Sequence, residues 1–263
     1  MALPLKPSVC FGSSPCLCIQ LPRLSRKAAS LSETARRLHI FAPTGGITQD
    51  KKMPYLRQTF IYVLLMTLVV VSSNILVQYP LSGTLFGINL GDLLTWGAFT
   101  YPVAFLVTDL TNRQFGPSIA RRVVLAGFIV GVTLSFWTSL PRIAIASGTA
   151  YLIGQLLDIS VFNRLRRQSW WRAPLAGSMF GSVLDTALFF SIAFAASFAF
   201  IGPNDAFAIE NAPILGIFSA EAPRWISWAL GDLSVKVLVG LVLLLPYGAL
   251  MNTLKPMPPA RSI

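Results

Sequence analysis

Six apolar stretches, each close to the length of a bilayer core, constrain residues 53–263 more than any other feature. They run Phe60–Gln78, Leu93–Leu110, Val123–Leu140, Ile143–Phe162, Leu175–Ile201 and Trp225–Leu250. A helix needs about 20 predominantly apolar residues to cross the hydrocarbon core, whereas a barrel strand is shorter and alternates in polarity. No such alternation runs through these stretches, and no internal repeat is evident. The sequence therefore predicts an all-α fold, a polytopic membrane helical bundle with six transmembrane helices. Only 12% of the 263 residues are charged, against about 25% in soluble domains. That excludes an ordinary soluble enzyme.

The net charge of +11 invites a nucleic-acid reading, but its distribution argues against one. Residues 1–52 hold a net +6, and the remaining cations fall in short clusters between apolar runs. Arg57, Arg113, Arg121, Arg122, Arg164, Arg166, Arg167, Arg172, Lys255 and Arg261 lie on one side of the expected bundle, while only Arg142 and Arg224 lie on the other. Loops rich in Lys and Arg mark the cytoplasmic face, so both termini are expected there. Trp170-Trp171 suits the interface on that side.

Residues 1–52 are rich in Ser, Pro and Arg and lack the apolar run of a secretory signal. The expectation is a disordered leader arising from a misassigned start, with Met53 as the true beginning; a transit peptide is the other compositional reading. All three cysteines and the single histidine fall within this leader. The body thus has no means of building a thiolate or imidazole metal site or a His-based triad, and no metal or cofactor is expected. No G-x-x-x-x-G-K-[ST] sequence occurs, so the chain carries no nucleotide-binding loop.

Charges inside the apolar runs hold most of the functional information, because each costs about 2.5–3.5 kcal/mol at a helix centre. Asp205, Glu210 and Glu221 fall in the connection 202–223, a small lid or a solvated loop, and Asp92 sits at a span edge. Asp109 with Arg113, and Asp158 with Arg164, lie near cytoplasmic ends and read as a gate or as structural ion pairs. Asp185 lies at mid-depth in the fifth span. Asp232 and Lys236 are four apart and share one face of the sixth. A neutralised local pair would ease insertion. Alternatively, Lys236 bridges Asp232 and Asp185, leaving one excess negative charge suited to a cationic or amidine-bearing ligand. Asn74, within Ser72-Ser73-Asn74, and Gln155 add neutral polar groups. Gly127/Gly131 and Gly177/Gly181 match the small-xxx-small pattern of close helix packing.

Many short stretches in order give the body a family likeness. They include Ser72-Ser73-Asn74, Thr95-Trp-Gly-Ala-Phe, Thr108-Asp109-Leu110-Thr111, Phe115-Gly116, Ala120-Arg121-Arg122, Gly154-Gln155, Asp158, Phe162-Asn163-Arg164-Leu165-Arg166, Trp170-Trp171, Phe180-Gly181, Asp185-Thr186 and Lys236-Val237-Leu238. The chain resembles the queuosine precursor transporters of the vitamin uptake transporter family, six-span proteins of the bacterial inner membrane. It departs from them in its minimal Pro141-Arg142 connection and in the leader. The resemblance implies import of 7-deazaguanines such as preQ0 and preQ1 for salvage into tRNA queuosine. Such a ring presents an N–H and an exocyclic amine side by side, and an ionised carboxylate accepts both. The expected substrate-binding residues are Asp185, Asp232, Lys236, Asn74 and Gln155.

Expected partners are this small molecule and the bilayer, with a homo-oligomer or a separate ATPase module left open and nucleic acid excluded. An alternative is a substrate-binding subunit of an ATP-driven vitamin transporter. A remote one is an intramembrane aspartyl protease. Asn89-Leu90-Gly91-Asp92 and Ala229-Leu230-Gly231-Asp232 resemble its Gly-Leu-Gly-Asp element but lack the first glycine.

Overall fold

A bundle of long helices wears its large apolar residues on the outside. On the first helix Phe60, Leu64 and Leu68 are each more than half exposed, one turn apart along a single stripe. Leu238, Val242 and Leu245 form a similar stripe on the last helix. Inside lie Thr108, Asp109, Asn112, Gln155, Asp158, Asp185 and Lys236, all buried. A protein surrounded by water would not leave such continuous apolar surface uncovered, so the bundle is built for lipid.

The structure is a computed structural model that describes residues 52–85 and 87–251. The expectation for the leader 1–52 falls almost entirely outside these residues. The helices are α1 (Lys52–Leu76), α2 (Gly97–Thr100), α3 (Pro102–Phe115), α4 (Pro117–Thr138), α5 (Pro141–Leu165), α6 (Arg172–Phe194), α7 (Ala206–Ile209) and α8 (Arg224–Met251). Within this set, α1 from Arg57 together with α4, α5, α6 and α8 are long and apolar enough to cross a membrane. The all-α membrane bundle is therefore what the chain forms.

The second expected span differs. Residues 93–96 are not helical, and Thr95 bridges to Pro80 instead. The helical part begins at Gly97 and is interrupted after Thr100, so it makes two pieces, α2 and α3. Pro102 explains the interruption, since it has no N–H to bond back to Ala98. Gly97 explains the close seat of α2 on α1, where an added Cβ would stand 2.9 Å from Val77 Cα. The ends of α5 and α8 fall within three residues of the expected ones, whereas α1 and α4 start eight and six residues earlier than expected, and α6 stops at Phe194, seven residues before Ile201, where the chain turns into a 3-10 segment at Ala196–Phe198.

Tight turns set the antiparallel order. Gly116, at φ 85°, ends α3, and Pro117 starts α4 at once. Ser139-Leu140 links α4 to α5, where Pro141 takes the first-turn position. The turns at Gly116 and at 166–171 share one end of the bundle with Arg113, Arg121, Arg164 and Arg172, here termed the basic end. The opposite, loop-rich end carries residues 77–96, 139–140 and 195–223. Two short hairpins form there, β1 (Thr84–Leu85) with β2 (Ile88–Asn89) and β3 (Asn211–Pro213) with β4 (Glu221–Pro223).

Arg142 fastens the loop-rich end. Its guanidinium is buried and donates to the carbonyls of Ile192 at 2.8 Å, Ala195 at 2.6 Å, Gly202 at 3.1 Å and Pro203 at 3.2 Å, and to Asn204 Oδ1 at 2.9 Å. A cation among the free carbonyls after α6 answers the negative end of that helix. The small-residue pairs sit at close contacts, with Gly127 against Met66 and Tyr151, Gly131 against Val70, Gly177 against Asp158 and Gly181 against Phe105 and Gly154. Gly154 and Gly181 let α5 and α6 touch, and a Cβ on either would come within 3.2 Å of the other's carbonyl oxygen. Met66, Val70, Ala104, Val123, Val124, Tyr151 and Ile159 fill the core between α1, α3, α4 and α5.

Candidate functional site

A cavity of about 1040 Å³ enters the bundle from the loop-rich end. Its walls follow helical periodicity: Asn74 on α1 with Gln78 just beyond its end, Ile143, Ser147 and Ala150 on α5, Asp185 and Phe189 on α6, and Trp228, Asp232 and Lys236 on α8. Tyr101, between α2 and α3, adds a phenol. The connection 195–223 supplies Phe207, Pro213 and Leu215 at the mouth, so it is a lid over the cavity. Asp205 caps its short helix by accepting from Phe207 N and Ala208 N, and the lid is held to the bundle by Leu215 N donating to Ser227 Oγ, by the Arg224–Glu210 ion pair and by Arg142. One side is aromatic. Phe194 meets Trp228 edge-on at 5.4 Å between centroids, and Phe207 lies 6.1 Å from Trp228 at 34°. Such a wall suits a flat ring.

The floor is polar. Lys236 Nζ lies 2.7 Å from Asp185 Oδ2 and 2.5 Å from Asp232 Oδ2. It also donates to Thr186 Oγ1 at 3.1 Å, and that hydroxyl donates to Asp232 Oδ2 at 2.8 Å. The Tyr101 hydroxyl donates to Asp185 Oδ1 at 2.8 Å, and Lys236 Nζ stands 5.0 Å from the Tyr101 ring centroid. Both oxygens of Asp185 are thus engaged. Asp232 is the more open carboxylate, with its side chain 16% exposed against 5% for Asp185. Among the described residues its Oδ1 accepts no hydrogen bond. Two carboxylates around one ammonium leave one negative charge at the floor, and its free oxygen edge belongs to Asp232. The geometry can hold a ligand that donates hydrogen bonds or carries a positive charge.

The structure brings Asp185, Asp232 and Lys236 together and puts Asn74 on the cavity wall, where its amide donates to Val70 O at 2.9 Å. Gln155 requires a correction. It is fully buried and lies outside the cavity lining, with its Oε1 accepting from Thr108 Oγ1 at 2.6 Å. The cavity face of α5 ends at Ala150, and Gln155 sits more than a turn deeper. The expected ion pairs are also corrected. Arg113 donates to the Tyr247 hydroxyl at 3.4 Å instead of pairing with Asp109. Asp158 and Arg164, six residues apart, point to different faces of α5. Asp109 and Asp158 turn inward, and neither has a salt bridge among the described residues.

Tyr101, Thr186 and Trp228 were not singled out as site residues from the sequence. Tyr101 had one signal, the proline after it, because interrupted helices in transporters often border binding sites. Thr186 follows Asp185 directly. Trp228 lies one turn before Asp232 on α8.

Comparison with known proteins fits this architecture. The family described as "Putative vitamin uptake transporter" matches residues 95–140 and 134–251. The chain is similar to the queuosine precursor transporter of Escherichia coli strain K12, at 41% identity over 209 residues, covering 71% of this chain and 83% of that protein. It is 33% identical over 234 residues to a probable queuosine precursor transporter of Haemophilus influenzae, covering 78% and 90% of the two chains. A probable queuosine precursor transporter of Bacillus subtilis is 28% identical over 138 residues, covering 42% and 58%. No solved structure matches.

Proposed function

The chain belongs to the vitamin uptake transporter family, and from that premise we propose that it is a secondary transporter importing queuosine precursors across the bacterial inner membrane. The arginines clustered at the basic end support a cytoplasmic position for that end. The cavity then opens outward, and the conformation is the one that receives substrate. The free edge of Asp232, beside Lys236 and below the Trp228 wall, carries this reading. An ionised carboxylate there accepts hydrogen bonds from the N–H and exocyclic amine of a 7-deazaguanine, while the ring packs on the aromatic wall. Asn74 adds a neutral contact from α1, and Asp185 holds Lys236 in place rather than meeting the ligand itself.

The same geometry supports transport over an aspartyl-protease reading. An aspartyl dyad shares a proton between two carboxyls, whereas Asp232 is paired with the Lys236 ammonium. Access alternates around a site near mid-depth, with the lid and the α2–α3 interruption on the outer side.

The test is rescue of tRNA queuosine from nanomolar external preQ0 or preQ1 in cells that cannot synthesise either and lack their own importer. Expression of this chain restores queuosine. Failure to restore it, with the protein present in the membrane, contradicts the proposal. Purified protein in liposomes should take up precursor alone, and uptake that requires an added ATPase module would make it a substrate-binding subunit instead.

A further inference from the structure

Below the cavity floor the bundle holds a second polar layer that the substrate reading does not use. Asp109 on α3 is 2% exposed and Asp158 on α5 is fully buried. Cross-links on either side hold the two helices in register: Thr108 donates to Gln155 at 2.6 Å, and Asn112 Nδ2 to Ile159 O at 3.4 Å. The two carboxylates are within electrostatic reach of each other. Among the described residues, both oxygens of Asp158 and Oδ1 of Asp109 have no hydrogen-bond partner, nor do Asn112 Oδ1 and Gln155 Nε2.

The charged and titratable groups around this layer do not neutralise it. Arg113, from α3, is turned to Tyr247 of α8, and Tyr247 is a neutral phenol within reach of both carboxylates. Lys236 is committed to the cavity floor. Two ionised carboxylates in an apolar interior with no cation cost more than a fold can sustain. The layer therefore needs a positive charge. Space is short, because Gly177 of α6 packs against Asp158 so closely that an added Cβ would overlap its Oδ1. A proton fits without moving a helix.

We propose that Asp109 and Asp158 form a proton-binding site that couples substrate import to the proton gradient. The inference rests on the transport reading above. The two carboxyls share one proton at rest, and a second, entering from the outer side, neutralises the layer, which lets α3, α5 and α6 repack without moving an uncompensated charge through lipid. Opening toward the basic end then exposes the carboxyls to cytoplasmic water, and the proton leaves with the substrate's release.

The experiment uses the full-length protein in liposomes with labelled preQ1. Wild-type protein should accumulate preQ1 under an inward proton gradient but not under a sodium gradient alone. Addition of preQ1 outside lightly buffered vesicles should make the external medium more alkaline, a readout that needs no variant. Asp158→Asn should keep preQ1 exchange between the two sides while losing gradient-driven accumulation, since the remaining Asp109 carboxyl cannot share a proton with a partner; the double variant Asp109→Asn with Asp158→Asn, which is permanently neutral, should cycle without coupling in the same way. Accumulation by Asp158→Asn equal to wild type, or wild-type accumulation that ignores the proton gradient, overturns the inference and leaves transport standing. Absence of both exchange and accumulation in the wild type overturns the transport reading and the inference with it.

Discussion

The Tyr101 hydroxyl donates to Asp185 Oδ1 at 2.8 Å, which ties the interruption between α2 and α3 to the ion cluster at the cavity floor. The contact spans three parts of the site at once, because Asp185 in turn holds Lys236 of α8. Tyr101→Phe removes the hydroxyl and keeps the ring beside Lys236. A hydrogen bond to a charged acceptor contributes about 1.5–3 kcal/mol. Thermal stability should fall by about that amount, and precursor affinity should weaken through the displaced floor, read by equilibrium binding to purified protein. An unchanged affinity would show that the interruption and the floor are independent.

Lys236 is the single cation between two carboxylates. Removing one partner of a buried ion pair costs about 3–5 kcal/mol, because the other charge is left uncompensated. Lys236→Met should therefore destabilise the protein in detergent by that order. The double variant Lys236→Met with Asp185→Asn restores the original charge count at the floor and should recover much of the loss. Thermal unfolding of the three proteins checks this, and additive losses in the double variant would count against a shared cluster.

Much of this floor was legible in the sequence, and the reasons are specific. Asp185, Asp232 and Lys236 stood out because charges are rare within apolar runs, and the four-residue step put two of them on one face. Depth along a helix could be read from the sequence, but facing could not. Gln155 has a suitable depth yet points away from the cavity, since only the packing of α5 against α3 decides its side. The ion pairs expected for Asp109 and Asp158 failed for a related reason. Nearness in sequence does not bring Arg164 to Asp158 on a 3.6-residue turn, and the long Arg113 side chain reaches Tyr247 instead. Hydropathy alone predicts one helix for the second span because it is blind to a missing N–H at Pro102.

Arg142 holds the end of α6 and the start of the lid through five hydrogen bonds. Arg142→Ala strands several carbonyls and should lower stability by about 2–4 kcal/mol, taking roughly 1–3 kcal/mol for each buried acceptor that water cannot reach. Arg142→Lys keeps the charge but not the planar fork, so it should recover only part of the loss. Thermal unfolding of both variants provides the comparison. Full recovery by lysine would mean that charge alone fastens this end.

Close approach of α5 and α6 depends on two glycines. In Gly154→Ala the new methyl would stand 3.2 Å from Gly181 O and 3.1 Å from Asp185 Cβ. Overpacking of this kind costs about 1–3 kcal/mol, and here it also pushes Asp185 away from Lys236. Stability and precursor affinity should fall together. A variant that loses stability but binds as the wild type would separate the helix contact from the site.

Binding of labelled preQ1 to purified Asp232→Asn tests the central claim most directly. The substitution is nearly isosteric, removes the one open carboxylate at the floor, and leaves the Asp185–Lys236 pair in place. Loss of a charge-assisted contact predicts affinity weaker by about ten-fold or more, with Lys236 still paired to Asp185. Wild-type affinity in Asp232→Asn would place the substrate elsewhere and contradict the account.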